Sequence, residues 1–259
     1  MTLPLPFSRI FAALAALAAL GSLSACASLT PRPAMPISEV VELSQADSPD
    51  QAINRLRASR TTYALRGSDF GKLADLGVPP PVLDQLQQSL ANDVDLLTRY
   101  WVLGESLGGC GSCYPQPVDL DSLKTGGNGM ADASTVHRKD TFGRPRGLPH
   151  WISAVPGGGG GGSLTVAEVS RMVKEGVPAG ELAERIRASR LRDVIATQGL
   201  SSISTHYLAG LSGSELARLH KDGAADPVVD ALQEKFLAEF IEFNRMRYQS
   251  MGKGSNSLN

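Results

Sequence analysis

Residues 65–87 read LRGSDFGKLADLGVPPPVLDQLQ, and residues 211–233 read LSGSELARLHKDGAADPVVDALQ. The two stretches align without a gap and share ten identities in 23 positions. A shorter match lies upstream of each, because RLRASR at 55–60 returns as RIRASR at 185–190. Agreement of this extent indicates that the chain contains the same structural unit twice.

Both copies carry the residues that typically begin and end helices. Gly77 and Gly223 stand where a helix would end in the left-handed conformation. Pro81 and Pro227 follow, at the first turn of the next helix. The second copy also has two Ser/Thr-x-x-Glu capping boxes, at residues 165–168 and 212–215.

Apolar residues recur every three or four positions along a long last helix in each copy, which includes Val82 to Trp101 and Val228 to Phe243. Shorter helices are predicted at 38–46, 49–59 and 68–76, and at 166–175, 179–197 and 213–222. Neither copy shows the alternation typical of strands. We therefore predict an all-α fold of two related helical-hairpin units, with about four helices each.

The first 25 residues have a different composition. Arg9 is their only charged side chain, and the uncharged stretch that follows is too short to span a bilayer comfortably. It closes on LSAC at residues 23–26, which resembles the lipobox of bacterial lipoproteins. That resemblance implies that the thiol of Cys26 carries diacylglycerol, that the leader is cleaved before it, and that the new amino terminus is acylated.

The residue after the lipobox cysteine is Ala27 rather than aspartate, which resembles the outer-membrane sorting class of enterobacterial lipoproteins. Two other interpretations stay open: a secretory peptide cut after an alanine, and a cytosolic protein with an apolar amino terminus. The duplicated helical pattern is itself similar to short helical repeats in uncharacterised proteobacterial lipoproteins. That second resemblance implies no particular activity.

The segment between the copies, residues 104–163, contains 15 Gly and 5 Pro among 60 positions and ends in six glycines. This composition predicts a flexible linker, with Trp151 and Ile152 able to dock on a unit. The predicted organisation is a leader at 1–25, a tether at 26–36, helical units at 37–103 and 164–251 on either side of the linker, and a disordered tail at 252–259.

Two cysteines, Cys110 and Cys113, lie in this linker. The sequence CGSCY at 110–114 matches the signature around the nucleophile of papain-like proteases, but prolines follow at once. The base histidine should lie about 130–150 residues downstream, whereas the last histidine is His220. In an oxidising compartment the two cysteines form an even pair, so a disulfide is predicted. Redox work or metal binding with His137 and His150 is the alternative, although those spacings fit no usual zinc pattern.

Two further groups of residues have structural explanations. His206 and His220 lie in the second unit without an accompanying nucleophile motif. Six arginines near helix ends favour an interaction with the helix dipole, and a patch that binds anions is the alternative. They are Arg55, Arg57, Arg60, Arg185, Arg187 and Arg190.

The composition of the chain limits its possible partners. Without Arg9, the 25 Lys and Arg become 24 against 26 Asp and Glu, a formal charge of −2, which argues against a nucleic-acid partner. We predict no catalytic, metal or cofactor-binding residue. The expected function is that of a non-enzymatic envelope lipoprotein, on the outer membrane facing the periplasm, with an envelope-protein or cell-wall partner. A thiol-dependent envelope protein that uses the cysteine pair is the alternative.

Overall fold

The computed structural model describes residues 34–46, 48–104, 115–131, 151, 162–192 and 210–255. Over these residues the chain is mostly helical, which confirms the all-α prediction. The first four helices are α1 (Ile37–Ala46), α2 (Pro49–Ser59), α3 (Gly67–Asp75) and α4 (Pro80–Leu103). A 3₁₀ helix (Leu120–Thr125) follows, and then α5 (Val166–Lys174), α6 (Ala179–Ala188), α7 (Gly213–Lys221) and α8 (Asp226–Ser255).

The helix ends follow the chemistry predicted for them. Gly77 and Gly223 have φ angles of +88° and +97°, the left-handed conformation that glycine adopts most readily. Thr165 and Glu168 form a full capping box before α5, because the Thr165 Oγ1 accepts from the Glu168 N–H while the Glu168 carboxylate accepts from the Thr165 N–H. These helix ends are therefore set by residues close to them in the sequence.

The end of α6 departs from the prediction of a helix over 179–197. The helix stops at Ala188, and Arg190–Leu191 form a two-residue strand, β2, parallel to β1 (Ser163–Leu164). The carboxylate of Glu239 in α8 accepts the N–H of Leu191 at 3.0 Å. A bond from a distant helix therefore replaces the continued helix that local sequence favours.

The two copies of the duplicated stretch pack directly against each other, α3 on α7 and α4 on α8. Gly67 lies against the backbone of Val229, and Gly213 lies against the backbone of Leu83, so closely that a Cβ atom on either glycine would overlap the opposing carbonyl oxygen. The sequence does not specify whether the two predicted units pack together. In the structure, Ala34–Asn259 form one compact unit.

Polar contacts between the copies are reciprocal. The N–H of Ser68 donates to Asp230 Oδ1 at 2.8 Å, and the N–H of Ser214 donates to Asp84 Oδ1 at the same distance. Ser68 and Ser214, like Asp84 and Asp230, are aligned positions of the duplicated stretch. Each copy therefore caps the start of a helix in the other.

A buried amide pair lies between α4 and α8. Gln87 and Gln233 are also aligned positions, and each Nε2 donates to the other Oε1 at 2.8 Å. Both side chains are fully buried, so the pair satisfies its own hydrogen-bonding groups inside the core. Like a polar residue in the seam of a coiled coil, the pair is suited to fixing the register of the two helices.

Part of the predicted linker is packed rather than extended. Gln116 pairs with the loop after α2, because its N–H donates to the Thr62 carbonyl at 2.7 Å and its carbonyl accepts from the Ala64 N–H at 2.8 Å. Leu120 and Trp151 are buried in the core. The prediction of a flexible linker over 104–163 therefore does not hold for residues 115–131, and the predicted docking of Trp151 is observed.

The predicted disordered tail overlaps the last helix. α8 continues through Ser255, four residues into the 252–259 segment. Buried apolar side chains among the described residues run from Met35 to Tyr248. Residues 34–259 thus contain their own hydrophobic core.

Candidate functional site

The residues predicted to carry chemistry lie outside the part of the chain that the structure describes. They are the lipidation candidate Cys26, the pair Cys110 and Cys113, and the alternative metal ligands His137 and His150. His206, for which a structural role is predicted, lies outside the described residues as well. Among the described residues, no group of His, Cys, Asp and Glu is arranged to hold a metal ion.

His220 has a structural environment. Its ring occupies the space beside Gly71 where a Cβ atom would stand, so it fills the contact between α7 and α3. Its Nε2 lies 3.3 Å from Asp226 Oδ1. This packing agrees with the structural role predicted for it.

Three of the six arginines at helix ends contact side chains of other helices. Arg55 lies 3.4 Å from the Glu39 carboxylate, and Arg187 lies 3.3 Å from the Glu234 carboxylate. Arg57 donates to Gln85 Oε1 at 2.8 Å. These contacts join helices within the body, which favours a structural role over an anion-binding patch.

A different surface lies at the carboxyl ends of α4 and α8, and we call it the basic end. It consists of Arg99, Tyr100 and Trp101 from α4 and Arg245, Met246, Arg247, Tyr248 and Met251 from α8. Among the described residues, the three large apolar side chains that are exposed all belong to it: Tyr100 at 40%, Met246 at 56% and Met251 at 52%.

A short hydrogen bond joins the two helices beneath this surface. The Tyr248 hydroxyl donates to Asp95 Oδ1 at 2.6 Å. Burial is the main cause, and the contact with Asp95 the second, of a pKa of Tyr248 that is raised well above its usual value. The hydroxyl therefore keeps its proton. Burial also raises the pKa of Asp95, while the bond from Tyr248 opposes that rise.

Arginine side chains lie over aromatic rings at the basic end. The Arg245 guanidinium is 5.3 Å from the centre of the Trp101 ring, and that of Arg247 is 5.3 Å from the centre of the Tyr248 ring. Such contacts hold the charge against an apolar face. Glu242 lies 3.8 Å from Arg245 and is the nearest acidic partner of that side chain.

The point where the amino-terminal segment joins the body lies on the same half of α4. The Met35 N–H donates to Thr61 Oγ1 at 3.0 Å, and the Tyr63 hydroxyl donates to the Met35 carbonyl at 2.8 Å. The neighbouring Thr62 hydroxyl binds the carboxyl group of Asp93. Asp93 is ten residues before the end of α4, a distance of about 15 Å along a helix.

Asp93 is an unusual carboxyl group. Its Oδ2 is buried and has no hydrogen-bond partner among the described residues. Burial raises its pKa to about 7, against a smaller lowering by the Thr62 hydroxyl. A proton on Asp93 at neutral pH therefore lowers the cost of burying it next to the point where the amino-terminal segment joins.

Comparison of the chain with models of protein families, with curated proteins and with solved structures finds no match. None of the helices among the described residues is both long enough and apolar enough to cross a membrane. Function is therefore inferred from the residues and their geometry.

Sequence reasoning missed the basic end, because two helix ends must lie side by side to form it. A signal was present, however. RYW at 99–101 and RMR at 245–247 occupy aligned places in the two copies, with Arg99 equivalent to Arg245. These two short motifs show that the copies carry similar residues at these places, but not that the residues lie together.

Proposed function

We propose that this chain is a non-enzymatic envelope lipoprotein, held on a membrane by lipid attached to Cys26. The observation that carries the proposal is LSAC at residues 23–26 directly after an uncharged apolar stretch. Two or more acyl chains give stable anchoring, whereas one gives only marginal binding. The lipid alone is enough to hold the protein at the membrane.

The helical body supports a structural or binding role in this setting. Its buried contacts join both copies of the duplicated stretch into one unit. We propose that the body faces the periplasm, with the anchor in the outer membrane as Ala27 favours. The proposed partner of the body is an envelope protein or the cell wall.

Incorporation of labelled palmitate in a bacterial host tests the anchor. Wild-type protein should become labelled and fractionate with outer membranes, and Cys26→Ser should lose the label because the acceptor thiol is gone. Cys113→Ser is the matched control, since it removes a cysteine outside the lipobox, and it should label as wild type does. Equal labelling of the wild type and Cys26→Ser would exclude the proposal.

The second candidate function rests on the Cys-x-x-Cys motif at 110–113, which is suited to thiol exchange or metal binding. Titration of the purified protein with a thiol reagent over a series of redox buffers distinguishes the two. A stable disulfide of low potential, without bound metal, favours the lipoprotein with a structural bridge. A pair that reduces easily, or that binds metal in the reduced form, favours the thiol function.

A further inference from the structure

Three segments that are distant in the chain meet beside α4. They are the segment at Met35, residues 61–64, which we call the joint loop, and residues 115–131, which we call the strap. We infer that the joint loop and the strap open and close as one unit over Asp93 of α4, and that the protonation of Asp93 controls the opening. This inference goes beyond the proposed lipoprotein function and does not depend on lipid at Cys26.

The joint loop links the other two segments. Its backbone pairs with the strap, because the Thr62 carbonyl accepts from the Gln116 N–H at 2.7 Å and the Ala64 N–H donates to the Gln116 carbonyl at 2.8 Å. Its side chains also hold both backbone groups of Met35. The joint loop cannot leave α4 without breaking bonds to both of the other segments, so the three segments are coupled.

The strap has a second attachment, on α1, and little apolar packing of its own. The Asn128 carbonyl accepts from the Ser38 N–H at 3.2 Å. Gly129 lies so close to Ile37 that a Cβ atom on the glycine would overlap the isoleucine side chain. Among the strap residues, Leu120 is the one large apolar side chain in the buried core. A segment with so few buried apolar contacts opens at a lower free energy than a helical core.

Asp93 gives this opening a dependence on pH. Its Oδ2 is buried without a hydrogen-bond partner among the described residues, and its carboxyl group binds the Thr62 hydroxyl of the joint loop. A buried carboxylate with an unpaired oxygen is costly, whereas a protonated carboxyl costs less. Loss of the proton therefore favours a state in which water reaches Asp93, and movement of the joint loop exposes the carboxyl at its contact with Thr62.

The other ionisable groups around the joint loop have partners or do not titrate near neutral pH. The pKa of Asp93 is shifted by burial and by the Thr62 hydroxyl, without a contribution from a charged side chain of the described residues. Burial, with a smaller contribution from Glu39, raises the pKa of the Tyr63 hydroxyl far above neutral, so this group stays protonated. The partnered side chains of α1, α2, α4 and the strap are Glu39 with Arg55, Arg57 with Gln85, Asp95 with Tyr248, and Asp121 with Lys72 and Lys124.

Hydrogen exchange of the purified protein tests the inference, measured by mass spectrometry between pH 6 and pH 8 and corrected for the intrinsic exchange rate. Peptides from the joint loop and the strap should be less protected than peptides from α3 and α7, because the unit opens separately from the core. Their protection should fall roughly ten-fold from pH 6 to pH 8. This is the change expected of a carboxyl that titrates at about 7 when covered and near 4 when exposed.

Three variants assign this pH dependence to Asp93. Asp93→Asn should keep the separate opening and lose the ten-fold fall, because an amide does not titrate. Asp95→Asn is the matched control, since Asp95 lies on the same helix and is bonded to Tyr248 instead, and it should keep the fall. Thr62→Val has nearly the same volume but lacks the hydroxyl that lowers the pKa of Asp93, so it should move the midpoint of the fall to higher pH.

Three results would overturn the inference. They are protection of the joint loop and strap that does not change with pH in the wild type, a fall that persists in Asp93→Asn, and joint-loop peptides as well protected as those of α3 at every pH. Thr62→Val keeps the inference testable if Asp93→Asn does not fold, because an unchanged midpoint in that variant also contradicts it. None of these results alters palmitate labelling at Cys26, so failure of the inference and failure of the proposed function are distinguishable.

Discussion

The two copies of the duplicated stretch agree where they touch each other and differ where their long helices end. At the contact between the copies, Gly67 and Gly213 each pack against the backbone of the other copy, and the side chains of Gln87 and Gln233 form hydrogen bonds with each other. A contact that is made twice, once by each copy, requires the same residue in both places. Reciprocal packing therefore accounts for the identity of Gly67 with Gly213 and of Gln87 with Gln233.

Beyond this region the copies diverge. Thr98 donates to the Val94 carbonyl at 2.7 Å within its own helix, whereas the amide of the aligned Asn244 is buried with no partner among the described residues. Tyr100 aligns with Met246. Arg99 and Arg245 are the aligned pair in this region with identical residues. The comparison shows that the reciprocal contacts are made by identical residues, whereas a contact at the carboxyl ends, such as that of Tyr248 with Asp95, joins unlike residues.

The largest expected effect comes from filling the close contact between the copies. Gly67→Ala should lower the free energy of unfolding by about 2–4 kcal/mol, because the added Cβ would overlap the Val229 carbonyl oxygen. Gly180→Ala in α6 is the control, since no atom lies within 4 Å of the added Cβ. Urea unfolding measures both variants, and a Gly67→Ala protein as stable as the control would refute the close contact.

The amide pair should show strong coupling. Gln87→Leu leaves the buried Gln233 without its partner and should cost about 1–3 kcal/mol. The double change to leucine removes both polar groups and should recover part of that loss. A double-mutant cycle by urea unfolding gives the coupling energy; additive losses would contradict the reciprocal bonds.

Because of Asp93, we expect the stability of the protein to depend on pH. Its pKa of about 7 in the folded state exceeds that of an unfolded aspartate, so the folded state binds more protons between about pH 4 and 7. Stability due to this group therefore falls as pH rises through that range and levels off above it. Asp93→Asn should remove this component and be more stable than the wild type at pH 8, by about 1–3 kcal/mol.

Thermal unfolding of the wild type and Asp93→Asn at pH 5 and pH 8 checks this prediction. The difference between the two proteins isolates Asp93 from other titrating groups, such as Asp69, whose pKa burial also raises, to about 6. A difference in stability that is the same at both pH values would show that Asp93 is charged throughout.

The smallest effect is expected at the basic end. Tyr248→Phe removes the hydroxyl that donates to Asp95 at 2.6 Å, and should cost about 1 kcal/mol. Unfolding in urea measures this effect, and a stability equal to that of the wild type would contradict a bond of this strength.

Local signals in the sequence were sufficient for most helix bounds. The prediction of 49–59 matches α2, and the glycines at 77 and 223 take the left-handed conformation expected of them. These features depend on residues that are close in the chain. The end of α6 depends instead on Glu239, 48 residues away from Leu191, and no local pattern could reveal it.

The arrangement of the copies was beyond sequence reasoning for a related reason. Identity between two stretches shows that they are alike, but not that they touch. The small size of Gly67 and Gly213 is explained only by the backbone opposite each of them. The basic end likewise exists only when α4 and α8 lie side by side, which their separate apolar stripes do not specify.

The most direct test of the lipoprotein proposal is the intact mass of the protein extracted from membranes. We predict an amino terminus at Cys26, with the mass of residues 26–259 plus diacylglycerol and an amide-linked acyl chain. Tandem mass spectrometry should place both additions on the first residue. A protein that begins at Met1, or one that begins at Cys26 or Ala27 without lipid, would contradict the proposal.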